Sequence, residues 1–112
     1  TMTDKFHVLF LRDAAEFLDG MEENARKKVL YNIHKARGTN DNELFKKLTT
    51  DIWEFRTLFN RTQYRLFAFW DKSDKQETLV IATHGIVKKT GKTPPGDIEK
   101  AERLMRLYFE GK

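Results

Sequence analysis

Three consecutive runs rich in aromatic and β-branched residues constrain the fold of this chain more than any other feature. They cover residues 52–59, 63–70 and 78–87, and only residues 60–62 and 71–77 separate them. Such runs are typical of β-strands, and short polar connections between them favour antiparallel hairpins. The sequence therefore predicts an antiparallel three-stranded unit in the second half of the chain.

The first half of the chain predicts one further strand and two helices. Residues 5–11 are apolar and β-prone, which predicts a first strand. Asp13 with Glu16 three residues later has the pattern of a capping box, and predicts a short helix that ends near Leu18. A second helix is predicted over residues 21–36, where apolar residues recur at steps of three and four.

The remaining segments complete a single-domain pattern. Residues 39–50 are polar and predict a loop, with a possible helical turn at 42–47. A final helix is expected to open at Pro94 or Pro95, because proline is tolerated in the first helical turn. The predicted order is β-α-α-β-β-β-α over residues 1–112. This order indicates one α+β domain, with a small, mostly antiparallel sheet and helices on one face.

The positive charge of the chain is concentrated in one segment. The net charge is +4, and residues 61–96 hold seven Lys/Arg against three Asp/Glu, which accounts for the whole excess. Residues 78–96 contain no acidic residue. A local excess of this kind is expected of a protein that binds a phosphate-bearing partner. The alternative is a solvated surface on which lysines happen to cluster.

Several classes of protein are disfavoured by composition. The chain has no cysteine, which excludes disulfides and thiolate chemistry. No apolar run approaches the roughly 20 residues that span a bilayer, and no signal peptide is visible, so we expect a cytoplasmic protein without membrane contact. His7 and His34 lack acidic or cysteine partners at ligand spacing. We therefore predict neither a metal site nor a cofactor.

Residues 88–93 form a basic segment that contains one glycine. Its Gly-Lys-Thr ending is that of a nucleotide-binding P-loop, but the upstream glycine is missing because position 86 is Ile86. We therefore interpret the segment as a mobile basic loop that contacts an RNA backbone.

Period-two alternation assigns the charged strand residues to one sheet face. Glu54 and Arg56 point away from Trp53 and Phe55, while Arg65 shares a face with Phe67 and Phe69. In the last strand, His84 and Ile86 would share the face of Val80 and Ala82. If the helices cover one side, the other side carries arginines beside aromatic rings, as an RNA-binding face requires. The alternative is that Phe67 and Phe69 belong to the core, and a single β-bulge would swap the face of later residues.

The second half of the chain resembles a known family. The matching residues are the runs Trp53-Glu54-Phe55-Arg56, Tyr64-Arg65-Leu66-Phe67 and His84-Gly85-Ile86-Val87-Lys88-Lys89, followed by Thr93-Pro94. In this order and spacing they resemble the RelE/ParE toxin superfamily, and within it the HigB-like, phage-derived branch. The resemblance extends over nearly the whole chain and is densest over residues 51–101.

This resemblance implies the toxin of a type II toxin–antitoxin system. Such toxins typically cut mRNA on the translating ribosome, and a cognate helix-turn-helix antitoxin holds them inactive. Because the sequence has no metal-binding motif, we expect a metal-independent endoribonuclease. A ParE-like protein that binds DNA gyrase and has no nuclease activity is the alternative. A third possibility is an inactive prophage relic.

Cleavage of RNA by its own 2′-OH requires a base, a group that offsets the charge on phosphorus, and an acid. The resemblance places Arg65 at a phosphate-binding, catalytic position, and Arg56 and Glu54 on the polar face of the preceding strand. Glu54 or His84 is our candidate base, and Lys88 or Lys89 either anchors a phosphate or acts as the acid. The alternatives are that Glu54 only pairs with Arg56 and that His84 is structural. The predicted catalytic residues are Arg65, Arg56, Glu54, His84 and Lys88, and the predicted RNA-binding residues are Lys89, Lys92, Arg61 and Phe67.

Overall fold

The structure, a computed structural model, describes residues 5–89 and 91–112. Thr90, within the predicted basic loop, lies outside the described residues. The helices in the described part are all too short or too polar to cross a membrane. The elements, in chain order, are β1 (His7–Phe10), α1 (Arg12–Asp19), α2 (Glu23–Ala36), β2 (Phe45–Lys47), β3 (Trp53–Phe59), β4 (Thr62–Asp71), β5 (Leu79–Lys88) and α3 (Pro95–Glu110).

The strands form one five-stranded sheet in the order β1-β5-β4-β3-β2. β1 is parallel to β5, and the other three pairs are antiparallel. The β3–β4 hairpin turns through Asn60 and Arg61, which both have positive φ (50° and 63°), as a type I′ turn requires. The predicted α+β class, with a mostly antiparallel sheet, is confirmed.

One strand of the sheet, β2, was not predicted. Residues 45–47 lie within the segment assigned to a loop or helical turn, but they pair with β3 at the edge of the sheet. The Phe45 ring stacks on Phe55, with ring centroids 4.2 Å apart, so this contact holds the strand in place. A three-residue strand is too short for alternation to be visible in a sequence.

The first face of the sheet packs against α1 and α2. The predicted stripe of α2 is buried, with Val29 and Ile33 almost inaccessible to solvent. α1 starts two residues earlier than predicted, at Arg12, and its N-cap Leu11 makes no side-chain hydrogen bond. The predicted capping role of Asp13 is therefore wrong. Its carboxylate instead pairs with Lys100 at 3.0 Å.

α3 packs on the opposite face, so the prediction that all helices share one face is wrong. Its Ala101 and Met105 pack in a second core cluster with Phe67, Phe69 and Ile81 of the sheet. The physical reason lies in β4, which is apolar on both sides and therefore needs cover on both. An amphipathic stripe shows that a helix buries one side, but not which sheet face receives it.

A β-bulge interrupts the pairing of β4 with β5. Phe67 pairs with His84 but Ala68 pairs with Ala82, so Thr83 is the extra residue. The bulge reverses alternation along β5, and His84 and Ile86 therefore lie on the face that α3 covers rather than with Val80 and Ala82. The predicted common face of these four residues is thus wrong.

Candidate functional site

The sheet face that packs against α3, here called the α3 face, is only partly covered. The helix lies over the half that holds Phe67, Phe69 and Ile81. The other half holds charged residues brought together by strand register. Arg56 of β3 lies directly opposite Arg65 of β4, and Gln63 of β4 lies opposite Lys88 of β5.

Glu54 is the carboxylate at the centre of this half-face. It is only 1% exposed. Its two oxygens face two guanidinium groups, with Oε1 3.5 Å from Arg65 Nε and Oε2 3.7 Å from Arg56 Nε. Thr93, from the segment before α3, donates its hydroxyl to Oε1 at 3.3 Å. A buried carboxylate requires such partners, and here one carboxylate is shared by two arginines.

Arg65 is almost completely buried, with 3% of its surface exposed. Its Nη2 donates to the Gln63 side-chain oxygen, and its Nη1 donates to the Tyr64 carbonyl at 3.3 Å. Burial lowers the pKa of the guanidinium, an effect that Glu54 opposes. An arginine nevertheless keeps its proton in proteins, so Arg65 supplies a positioned positive charge.

Lys88 is a half-buried cation at the end of β5. Burial lowers the pKa of its ammonium group, and the charge of Arg65 lowers it further. In the described part of the chain no carboxylate lies within ion-pair distance of Lys88. We call Arg56, Arg65 and Lys88, arranged around Glu54, the cationic cluster.

His84 lies beside the cationic cluster but is enclosed by protein. Its ring stacks on Phe67 with centroids 4.8 Å apart. Its Nε2 contacts Asp97 Oδ1 at 3.1 Å, and its Nδ1 contacts Thr83 Oγ1 at 3.0 Å. Burial lowers the pKa of the imidazole, which the Asp97 hydrogen bond opposes. Both ring nitrogens are thus engaged within the protein.

Of the four predicted RNA-binding residues, one is buried and three are exposed to solvent. Phe67 is fully buried under α3, so the expectation of an exposed ring that stacks on a base is wrong. The reason is that α3 packs on this face, which the sequence did not reveal. Arg61 is exposed in the β3–β4 turn, and Lys89 and Lys92 are exposed in the segment that follows β5.

Several residues at the site were missed by sequence reasoning. Gln63 and Thr93 hold Arg65 and Glu54 in place, and Asp97 holds His84. Only Thr93 had a signal, since it belongs to the Thr-Pro pair of the resemblance. Lys46, which pairs with Glu54 across β2 and β3, was missed because β2 was not predicted. Within the described residues, no group of three or more His, Cys, Asp or Glu side chains is arranged to hold a metal ion.

Comparison with protein-family models gives one match. The model of a family described as "Phage derived protein Gp49-like (DUF891)" matches residues 16–106. The matched segment includes every residue of the cationic cluster and most of α3. Among curated proteins, none matches the chain.

Proposed function

Because the chain belongs to the Gp49-like family of phage-derived proteins, we propose that it is the toxin of a type II toxin–antitoxin system and cleaves mRNA on the ribosome. The family is associated with toxins of the RelE/HigB type. Assignment to the HigB-like branch and the endonuclease activity are part of the proposal.

The observation that carries the proposal is the cationic cluster itself. Three cations converge on one half-face of the sheet, and the two arginines share one buried carboxylate. Arg65 is almost completely buried, whereas Arg56 and Lys88 are partly exposed to solvent. Guanidinium groups bind phosphate through paired hydrogen bonds, and charges fixed in advance stabilise the phosphorane at little cost in reorganisation. This arrangement is suited to an RNA phosphate.

In the proposed reaction, the 2′-oxygen of the RNA attacks the adjacent phosphorus, and Glu54 accepts the hydroxyl proton. Arg65 and Arg56 stabilise the charge on the phosphorane oxygens. The bond from phosphorus to the 5′-oxygen then breaks, and Lys88 donates a proton to that oxygen. The products are a 2′,3′-cyclic phosphate and a 5′-hydroxyl end.

His84 acts in this scheme as a positioning residue, because its two nitrogens contact Thr83 and Asp97. It connects the β5 bulge to the first turn of α3, and so holds the segment from which Thr93 reaches Glu54. Lys89, Lys92 and Arg61, exposed at the margins of the half-face, provide further contacts to the RNA backbone.

The proposed partners are mRNA on the ribosome and a cognate antitoxin with a helix-turn-helix domain, both in the cytoplasm. Induced expression of the chain without its neighbouring gene tests the activity. We expect growth arrest, new mRNA 5′ ends within translated regions, and ends that can be ligated only after enzymatic phosphorylation because they carry a 5′-hydroxyl. Co-expression of the neighbouring gene is expected to restore growth.

Three outcomes would contradict the proposal. Growth arrest with intact mRNA and damaged DNA would support a gyrase-binding toxin. Cleavage of mRNA in the absence of translation would contradict the dependence on the ribosome. Normal growth, at an expression level verified by immunoblot, would indicate an inactive relic.

A further inference from the structure

The edge strand β2 presents its two lysines to opposite faces of the sheet. Lys46 pairs with Glu54 of β3, whereas Phe45 and Lys47 pair with Phe55 and Trp53. Phe45 packs in the core with α1 and α2, so Lys46 points to the α3 face. Lys46 therefore lies next to the carboxylate at the centre of the cationic cluster, while Lys47 does not.

With Lys46 included, four consecutive strands each contribute one cation to this half-face. They are Lys46 of β2, Arg56 of β3, Arg65 of β4 and Lys88 of β5. Adjacent strands are about 4.8 Å apart. Arg56 and Arg65 lie directly opposite each other, whereas Lys46 pairs with Glu54 and Lys88 pairs with Gln63, so the cations form a diagonal row across the strands. Lys46 and Lys88 occupy its two ends.

The charge of Lys46 is not offset locally. No carboxylate within ion-pair distance of it is found among residues 5–89 and 91–112, and Glu54 is already shared by two arginines. Lys46 is also one of the cations that lower the pKa of Lys88. Like charges in one row repel one another in the free protein, and a bound polyanion relieves that repulsion.

Lysines on an edge strand also have a general role, because they prevent pairing with another sheet. That role applies equally to Lys46 and Lys47, since both are exposed on the same short strand. It does not explain why one of them extends a row of cations. The two lysines therefore form a matched pair for an experiment.

We propose that Lys46 is a phosphate-binding residue that contacts the RNA backbone next to the cleaved phosphate, on the side away from Lys88. The inference rests on the proposed function and adds to it the direction of the RNA, which crosses the strands from β2 to β5. The ligand is a backbone phosphate of the mRNA.

The test measures the affinity of the protein for ribosomes programmed with an mRNA that is 2′-O-methylated in the exposed codon and so cannot be cut. We expect Lys46→Ala to weaken binding about tenfold. The dependence of log K on log salt should become less steep by about 0.7, the value for one phosphate contact on a single strand. Lys47→Ala loses the same charge and should change neither. Lys46→Arg should restore both.

Two results would overturn the inference, and a third would contradict the proposed function. Equal effects of Lys46→Ala and Lys47→Ala would overturn the inference, because the contribution would be one of net charge. An equal loss on ribosomes without mRNA would also overturn it, since the phosphate would then belong to ribosomal RNA. Failure of the unmodified protein to bind programmed ribosomes would instead contradict the proposed function.

Discussion

At the residue scale, Glu54 determines how the cationic cluster is held together. Arg56 and Arg65 lie directly opposite one another on adjacent strands, a placement that is unfavourable for like charges. The carboxylate of Glu54 between them removes that repulsion in the free protein. The same group is our candidate base, so stability and the proposed chemistry depend on one side chain.

Arg65→Ala is expected to relieve toxicity while the fold remains intact. Loss of one positioned charge at a developing oxyanion typically costs about 10²–10³-fold in rate. Arg56 still forms an ion pair with Glu54 in this variant, and Thr93 still donates a hydrogen bond to it, so the buried carboxylate keeps partners. The check is mRNA cleavage at matched expression, with circular dichroism of the purified variant.

Lys75→Ala serves as the matched control for Arg65→Ala. Lys75 is exposed in the β4–β5 connection, and its loss changes the net charge by the same amount. We expect full toxicity. If Arg65→Ala were as toxic as this control, Arg65 would have no place in the site.

Lys88 is expected to set the alkaline limit of activity. Burial and the charge of Arg65 lower the pKa of its ammonium group, so it loses its proton at a lower pH than an ordinary lysine. As the proposed acid, Lys88 is active only when protonated. The rate should therefore decline as pH rises through this lowered pKa.

Lys88→Arg separates the acid role of Lys88 from phosphate binding. An arginine keeps its charge but does not release its proton. We expect ribosome binding close to that of the unmodified protein and a much lower maximal rate. A variant with an unchanged rate and an unchanged pH profile would show that another group protonates the leaving oxygen.

At the scale of elements, Gly85, which follows His84 and the β5 bulge, packs against α1. Gly85 lies against the Phe17 ring of α1, and a Cβ atom at position 85 would approach that ring to 2.3 Å. Only glycine allows this approach. The contact keeps α1 close to β5 at the point where the bulge turns His84 to the α3 face.

Gly85→Ala is expected to destabilise the protein by about 1–3 kcal/mol, the typical cost of overpacking. Gly96→Ala is its control, because a Cβ atom there meets nothing within 4 Å. Urea unfolding measures both. In a double mutant, Phe17→Leu should recover part of the loss at position 85, and no recovery would mean that the cost arises elsewhere.

The elements differ in how far sequence predicted them. β3, β4 and β5 were predicted to within one residue at each end, because their aromatic runs and short polar connections are strong local signals. β2 was missed because it depends on Phe45 meeting Phe55 across the sheet. A bulge was an open alternative, but its position at Thr83 was not predicted, since it depends on pairing with β4.

At the scale of the whole molecule, Asp71 fastens the end of α3 to the sheet. It is 1% exposed and lies at the end of β4. Its carboxylate accepts hydrogen bonds from Ser73, from the Tyr108 hydroxyl at 2.6 Å and from the Lys112 ammonium at 2.7 Å. α3 is thus held at its far end by Asp71 and near its start by His84.

This attachment predicts a loss of stability in acid. Burial alone would raise the pKa of Asp71, but the hydrogen bonds from Lys112, Ser73 and Tyr108 together hold it well below the usual 3.8. The ionised form is therefore favoured by folding. Its contribution is present above pH 3.8 and disappears as the pH falls from there through the lowered pKa of the folded protein.

Tyr108→Phe should lower the free energy of unfolding by about 1.5–3 kcal/mol near neutral pH, because it removes one hydrogen bond to a charged acceptor. The difference from the unmodified protein should shrink in acid. Activity should be unchanged, since Tyr108 lies far along α3 from the cationic cluster. Urea titrations at neutral and acidic pH provide the check, and a pH-independent difference would contradict the role of Asp71.

The local pattern of the sequence by itself determined the α+β class, the main strands and helices, and the alternation that places Glu54 with Arg56 and Arg65 with Phe67. Each depends on neighbours along the chain. Only the tertiary structure decided that α3 covers Phe67, that the bulge turns His84 towards Asp97, and that Lys46 joins the row of cations. These three features depend on contacts between residues that are far apart in the sequence. Both faces of β4 become buried only when the whole chain packs.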